Sequence, residues 1–290
     1  MKYLAALFLL ISSHTSYALS ITETEDSIAH VHGRILKVTT DAERLQLCEQ
    51  MRELFIASFD NPEVFDYPFT KFRFCAITSS DKRVRIFNWN LPYMDGTHTY
   101  YGFVLVRNDK KATYEWTELK DIKTEPENLE GQIFKATKWM GALYYDIIPM
   151  EKKNCSKYAL LGWDGKDNLS TRKIVEVMTI QNKNIRFGDD VFKEEGNTSR
   201  KRIILEYSDE VSAMLKYYPD MQCIVMDELA PKNPVMEGIY SEYGPLGNYN
   251  LLRLHKGTWT LEKDVDVSKF APNEGRPYND PAKLDRRGRP

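Results

Sequence analysis

Phe72-Arg73-Phe74-Cys75-Ala76-Ile77-Thr78, then Ser79-Ser80-Asp81-Lys82, then Arg83-Val84-Arg85-Ile86-Phe87-Asn88-Trp89 is the stretch that sets the fold. Two runs rich in β-branched and aromatic residues flank four turn formers, which is the signature of a β-hairpin. The same texture continues downstream. Tyr100 to Val106 and Thr113 to Leu119 flank Arg107 to Lys111, and Lys173 to Ile180 and Ile185 to Phe187 flank Gln181 to Asn184. Phe134 to Thr137 is a weak strand. Ala142 to Met150 is a strong one, followed by Tyr158 to Trp163 and the turn at Asp164-Gly165. Lys201 to Tyr207 and Ser212 to Tyr217 surround Ser208-Asp209-Glu210. Gln222 to Leu229, Ile239 to Tyr243, Leu251 to Leu254 and Thr258 to Leu261 complete the series.

Successive hairpins need only short links, so the expected fold is mainly β, an antiparallel meander. Strand–helix–strand units are missing, which argues against a doubly wound nucleotide fold. Roughly a dozen strands are too many for one small barrel. A sandwich, a large open barrel and a propeller-like arrangement all fit, although no repeated blade signature stands out.

Upstream the pattern changes. Leu45, Leu47, Cys48, Met51, Leu54, Phe55 and Phe59 recur at three- and four-residue steps, predicting one N-terminal amphipathic helix over 41–59. Thr40 or Asp41 can cap it, with Glu43 in its first turn. Residues 19 to 40 read as polar, ending in a short strand-like run from Ile35 to Val38. At the very start, Lys2 precedes an apolar run from Tyr3 to Ile11, and Ser16-Tyr17-Ala18 has the small-x-small form of a cleavage site. Residues 1–18 therefore read as a signal peptide, too short to span a bilayer, which takes about 20 residues. A single β-rich domain is expected over 19–270. Residues 271–290, rich in Pro, Gly and charge, are expected to form a flexible tail. The expected location is the periplasm, the outer surface or the medium, with no integral membrane segment once the leader is removed.

A net charge of −2 gives no bulk attraction to nucleic acid. Cys48, Cys75, Cys155 and Cys223 permit two disulfides in three pairings, in competition with buried free thiols. Their wide spacing, without a C-x-x-C pair, does not suit zinc.

Tyr158-Ala159-Leu160-Leu161-Gly162-Trp163-Asp164-Gly165, Arg172-Lys173-Ile174-Val175-Glu176-Val177 and Arg186-Phe187-Gly188-Asp189-Asp190-Val191-Phe192 resemble segments of an uncharacterised family of secreted Bacteroidetes-type bacterial proteins. So do Arg85 to Asn90 and Lys201 to Tyr207, and the resemblance covers residues 70 to 265. It implies export and carries no activity, cofactor or site residue with it.

Several places could hold a ligand. Trp163 ends a strand, and Asp164, Asp167 and Asn168 follow it in a Gly-containing loop. An indole beside acids and an amide suits contact with a sugar or peptide, and the acids are oxygen donors of the kind calcium takes. The spacing departs from a twelve-residue calcium loop, and a plain hairpin turn explains the same residues. Asn88-Trp89-Asn90-Leu91-Pro92-Tyr93, with Tyr100 and Tyr101, is an aromatic and amide mixture that suits a shallow groove, or equally the packing of a sheet edge. Asp189 and Asp190 would point to opposite faces of a strand. His30 and His32 would share a face on a strand and could seed a metal site with a third ligand from afar, against the plainer reading of a surface strand. His98 and His255 have no acid and nucleophile near them in sequence. No G-x-S-x-G, H-E-x-x-H or Walker-type loop is present, so no enzyme assignment follows. The leading expectation is an exported, non-catalytic β-protein that binds a cell-envelope or nutrient ligand. A secreted hydrolase on glycans or peptides and a structural or protein-interaction module are the alternatives.

Overall fold

The computed structural model describes residues 20–35, 37–108, 113–122, 124–152, 155–182, 184–193 and 199–266, without the side chains of 73–75 and 199. Residues 1–18, expected to be a signal peptide, and 271–290, expected to be a flexible tail, lie outside the described residues. The fold is mainly β: 47% of the described residues are in strands and 21% are helical.

Two helices come first, α1 (Ile21–Ile35) and α2 (Asp41–Ser58). The second is the helix expected from the apolar stripe. Its N-cap is Thr40, whose hydroxyl accepts the Glu43 amide while Glu43 reaches back to the same hydroxyl. The first replaces the polar stretch and the strand-like run expected there. Its buried stripe is Ile21, Thr24, Glu25, Ile28, Val31 and Ile35, so two polar residues interrupt the apolar spacing. Glu25 is tolerated because it accepts from the Tyr67 hydroxyl at 2.8 Å and the Lys71 amide at 2.7 Å. Ser20 and Glu23 form a capping box at its start. On this helix His30 and His32 stand about 200° apart and share no face, and His32 packs edge-on against Phe72.

Sixteen strands follow. They are β1 (Ala76–Thr78), β2 (Val84–Pro92), β3 (His98–Asn108), β4 (Thr113–Lys120), β5 (Phe134–Lys135), β6 (Leu143–Pro149), β7 (Lys157–Asp164), β8 (Ser170–Gln181), β9 (Asn184–Phe187), β10 (Phe192–Lys193), β11 (Ser199–Arg200), β12 (Arg202–Ser208), β13 (Leu215–Tyr218), β14 (Cys223–Pro231), β15 (Tyr243–His255) and β16 (Thr258–Glu262). They form three open sheets, ordered β1-β2-β3-β4, β5-β9-β8-β7-β6 with β12 added to β8, and β11-β10-β16-β15-β14-β13. Pairing between strands is antiparallel except for the two-residue contact of β10 with β16. None of the sheets closes into a barrel, and the architecture is a set of open sheets packed face to face.

The hydrophobic clusters show the order of the layers. Helices cover one face of the first sheet, where Phe55 packs on Phe87, Trp89 and Phe103 at ring distances of 4.9, 5.2 and 6.1 Å. The other face of that sheet (Val84, Ile86, Val104) meets Tyr144, Leu160 and Ile174 of the second sheet. The back of the second sheet (Ala159, Leu161, Val175, Val177) meets Ile224, Leu252 and Trp259 of the third. Two of the three sheets are thus covered on both faces, which explains strands with buried side chains on both parities, such as Val84 to Trp89.

Three local expectations need correction. Phe72 to Thr78 is strand only from Ala76, after a 3₁₀ turn over Thr70–Cys75. The two runs around Ser208-Asp209-Glu210 are not a hairpin: β12 pairs with β8 in the second sheet and β13 with β14 in the third, so this turn carries the chain between layers. The Gly- and Pro-containing segment before Leu251 is strand, with Tyr240–Glu242 a 3₁₀ turn. A register shift between Asp227 and Leu229 of the partner strand accommodates the extra residues around Leu246.

Candidate functional site

The sequence candidates separate in space. Trp89 is 1% exposed, stacked between Phe55 and Tyr101 under α2; it is a core residue and not a groove residue. Trp163, Asp164, Asp167 and Asn168 do come together at the β7–β8 turn, against the β2–β3 turn. Asn168 Nδ2 donates to the Asp95 carbonyl at 2.8 Å, and the half-buried Trp163 meets His98 edge-on at 5.5 Å.

Their polar atoms are spent on that junction. Asp164, 8% exposed, accepts from the Tyr100 hydroxyl at 2.7 Å and the Lys166 amide at 3.0 Å, and its other oxygen faces Arg172 at 3.4 Å. Asp167 accepts the amides of Leu169 and Ser170 at 2.8 and 2.9 Å. Burial works against its ionised form, yet these amides and Lys166 hold its carboxyl below the usual range. The two acids bind separate partners and do not converge. Among the described residues no group of three or more His, Cys, Asp or Glu could hold a metal ion.

Next to this turn Lys166 Nζ lies 3.2 Å from Ser170 Oγ, a distance that would suit a serine nucleophile and its base. The proton directions are wrong for that chemistry. The ammonium donates to the hydroxyl and also pairs with Glu206, while the hydroxyl donates to the same carboxylate at 2.8 Å. Arg172 joins Glu206 at 2.7 Å and grips Glu125 with two bonds of 2.6 and 2.9 Å. Ser170 is 2% exposed, so substrate has no route to it. This is a satisfied ionic latch. His98 belongs to it: burial lowers its pKa against the opposing pull of Asp164, Asp209 and Asp95, and its Nδ1 faces Asn90 Nδ2 at 2.8 Å. Asp189 and Asp190 pair with different lysines, Lys157 and Lys201, at 2.8 and 2.7 Å. Cys48, Cys155 and Cys223 are buried free thiols, and burial pushes Cys48 up to about 12. His255 is exposed on the β15–β16 turn.

A concave site lies elsewhere. The β1–β2 turn, the end of β6 and the β13–β14 and β15–β16 turns enclose a cleft of about 710 Å³ between the three sheets. Such a volume accommodates a small-molecule or short-oligomer ligand. Half-buried Asp146, Pro149, Tyr217 and Leu254 line it, while Asp81, Glu151, Lys152 and Lys256 stand exposed at the rim. Asp146 follows a bulge: β6 leaves register with β7 between Tyr144 and Asp146, which turns Tyr145 outward, its hydroxyl donating to the Leu215 carbonyl at 2.9 Å. The first sheet fixes this bulge from behind. Asn88, fully buried, accepts the Tyr144 amide and donates to the Tyr144 carbonyl.

Asp146 itself has little holding it. Its Oδ1 accepts the neighbouring Ile147 amide at 2.8 Å, and no ion pair forms to it among the described residues. Burial lifts its carboxyl above the usual range, the adjacent amide opposing only in part. Asp81, by contrast, is engaged by the Ser79 and Tyr158 hydroxyls and the Arg83 amide. Sequence reasoning passed over Asp146 because it sits inside an otherwise apolar strand. The signal was there as a lone acid between Tyr145 and Ile147 in a run with buried side chains on either side.

Among the described residues no helix is long and apolar enough to cross a membrane. Comparison with protein-family models, curated proteins and solved structures finds no match for the chain, so its own geometry carries the functional argument.

Proposed function

We propose that the chain is an exported, non-catalytic β-protein that binds a cell-envelope or nutrient ligand in the cleft between its three sheets. The resemblance to secreted Bacteroidetes-type proteins and the leader-like residues 1–18 support the location. The observation that carries the binding function is Asp146: a half-buried carboxylate lining the cleft, with one backbone partner and no cation paired to it among the described residues. A buried acid in that state gains from any ligand that donates to it. Glycan or peptide hydrolysis is less well supported: of the other acids in the cleft, Asp81 is committed to Ser79, Arg83 and Tyr158, and Glu151 is exposed to solvent at the rim.

The test is a thermal-shift panel of polysaccharide fragments, peptides, amines and calcium on the purified chain. It is repeated on Ser80→Trp, which places an indole at the exposed rim. The expected result is a stabilising ligand whose effect Ser80→Trp removes. No response to any member of the panel, or a response that Ser80→Trp leaves intact, would refute binding in the cleft.

A further inference from the structure

We propose that the cleft is built for a ligand carrying a protonated primary amine on an apolar or aromatic body, with the ammonium at Asp146 and the body against Tyr217, Pro149 and Leu254. This rests on the ligand-binding function above and specifies its chemistry.

The distribution of polar groups decides the class. The apolar part of the lining is Ile147, Ile148, Pro149, Met150, Pro219 and Leu254 with the Tyr217 ring, and Thr78, Ser80 and Gln222 are its neutral polar members. A saccharide would bring hydroxyls around its whole ring and leave unmet those that face the apolar side chains, at a cost for each. An alkyl or aryl amine concentrates its polarity at one point and can place that point on the one acid. Tyr217 lines the same cleft and supplies an aromatic ring of the kind that attracts a cation. Burial raises its hydroxyl's pKa, and the Asp146 charge adds to that shift. The free Asp146 carboxylate is disfavoured by its own burial, so a cation that pairs with it recovers more than it would at a solvated acid.

The lysines of the cleft do not already fill this role. Lys152 and Lys256 are exposed at the rim, and neither forms an ion pair with Asp146. They face the outer end of a bound ligand, where a carboxylate or peptide carbonyl would suit them. Amino acids, short peptides and diamines therefore share the recognisable inner end and differ at the rim.

The experiment measures affinity by titration calorimetry for matched pairs: tyramine against tyrosol, and 1,6-diaminohexane against 1,6-hexanediol. Each amine is expected to bind at least about tenfold more tightly than its alcohol. Asp146→Asn, isosteric and neutral, should abolish that preference while circular dichroism stays unchanged. Tyr217→Leu should weaken the amine more than the alcohol. Amine affinity should also fall as the pH drops and Asp146 takes up its proton. Asp81, Glu151, Lys152, Lys256, Tyr145 and Tyr217 also face this region, so the pH loss must disappear in Asp146→Asn to be assigned. Equal binding of amine and alcohol, or an amine preference that survives Asp146→Asn, overturns the proposal. If saccharides bind, Ser80→Trp blocks them and amines do nothing, the cleft is a binding site and the amine assignment is wrong. If neither class binds, both fall.

Discussion

Arg202 and Glu176 are each 0% exposed, and Nε meets Oε2 at 3.1 Å between β12 and β8. The guanidinium also donates to the carbonyls of Leu129, Gln132 and Phe187, and Glu176 accepts from the Tyr144 hydroxyl, which in turn accepts the Trp139 indole N–H at 2.8 Å. Arg202→Met keeps the apolar bulk and leaves a bare carboxylate in the core between two sheets. Breaking one half of a buried pair costs about 3–5 kcal/mol, a large share of the roughly 5–15 kcal/mol that holds a domain folded. With a urea slope near 3 kcal/mol per molar for a chain of this size, the midpoint should fall by about 1–1.7 M. Glu176→Gln alone should cost a similar amount, because it strands the guanidinium. The decisive measurement is the double variant in urea followed by circular dichroism. Removing both charges relieves the stranded one, so Arg202→Met with Glu176→Gln should be no less stable than Arg202→Met alone. Losses that simply add in the double variant would refute the idea that this pair acts as one unit.

Asn88→Ala removes both partners of the Tyr144 backbone, at about 1–3 kcal/mol for each buried group left unpaired, and should also weaken ligand binding by loosening the bulge before Asp146; chemical denaturation and calorimetry together check it. Gly165→Ala would bring a Cβ to 2.3 Å from His98 Nε2 and 2.7 Å from Trp163 Cη2, so it should destabilise by about 1–3 kcal/mol, and adding His98→Ala, which relieves only the first clash, should restore part of the loss in a thermal melt. Asp146→Asn should raise the melting temperature at neutral pH. Its folded pKa lies above the unfolded value, so its ionisation costs stability that is absent at low pH and appears as pH rises through the folded pKa. With the side chain partly solvated the gain should stay within about 1 kcal/mol, and should vanish in acid.

Much of the strand pattern was legible because period-two runs and turn formers are local properties. The hairpins β3–β4 and β8–β9 and helix α2 follow directly from such signals. Helix α1 escaped because Thr24 and Glu25 occupy its buried face, and Glu25 is paid for by Tyr67 and Lys71, more than forty residues away. Which sheet a strand joins was also hidden: β12 and β13 are neighbours in sequence, and only distant partners, β8 and β14, separate them. Trp89 reads as a ligand platform only if one face of its strand is open, and helices above and a sheet below leave neither face so. The cleft draws on three turns and the end of β6, a convergence no local window contains.

The parallel contact of β10 with β16 has a kinetic meaning. β16 lies between β10 and β15, and Trp259 is wholly buried, its amide donating to the Val191 carbonyl at 2.8 Å. A growing polypeptide that has reached only residue 255 therefore carries β10 with no neighbour on that side and an empty slot where the indole belongs. Assembly of the third sheet must wait for a segment nearly seventy positions downstream, a long loop closure that slows folding and leaves an unpaired edge open to wrong partners in the interval.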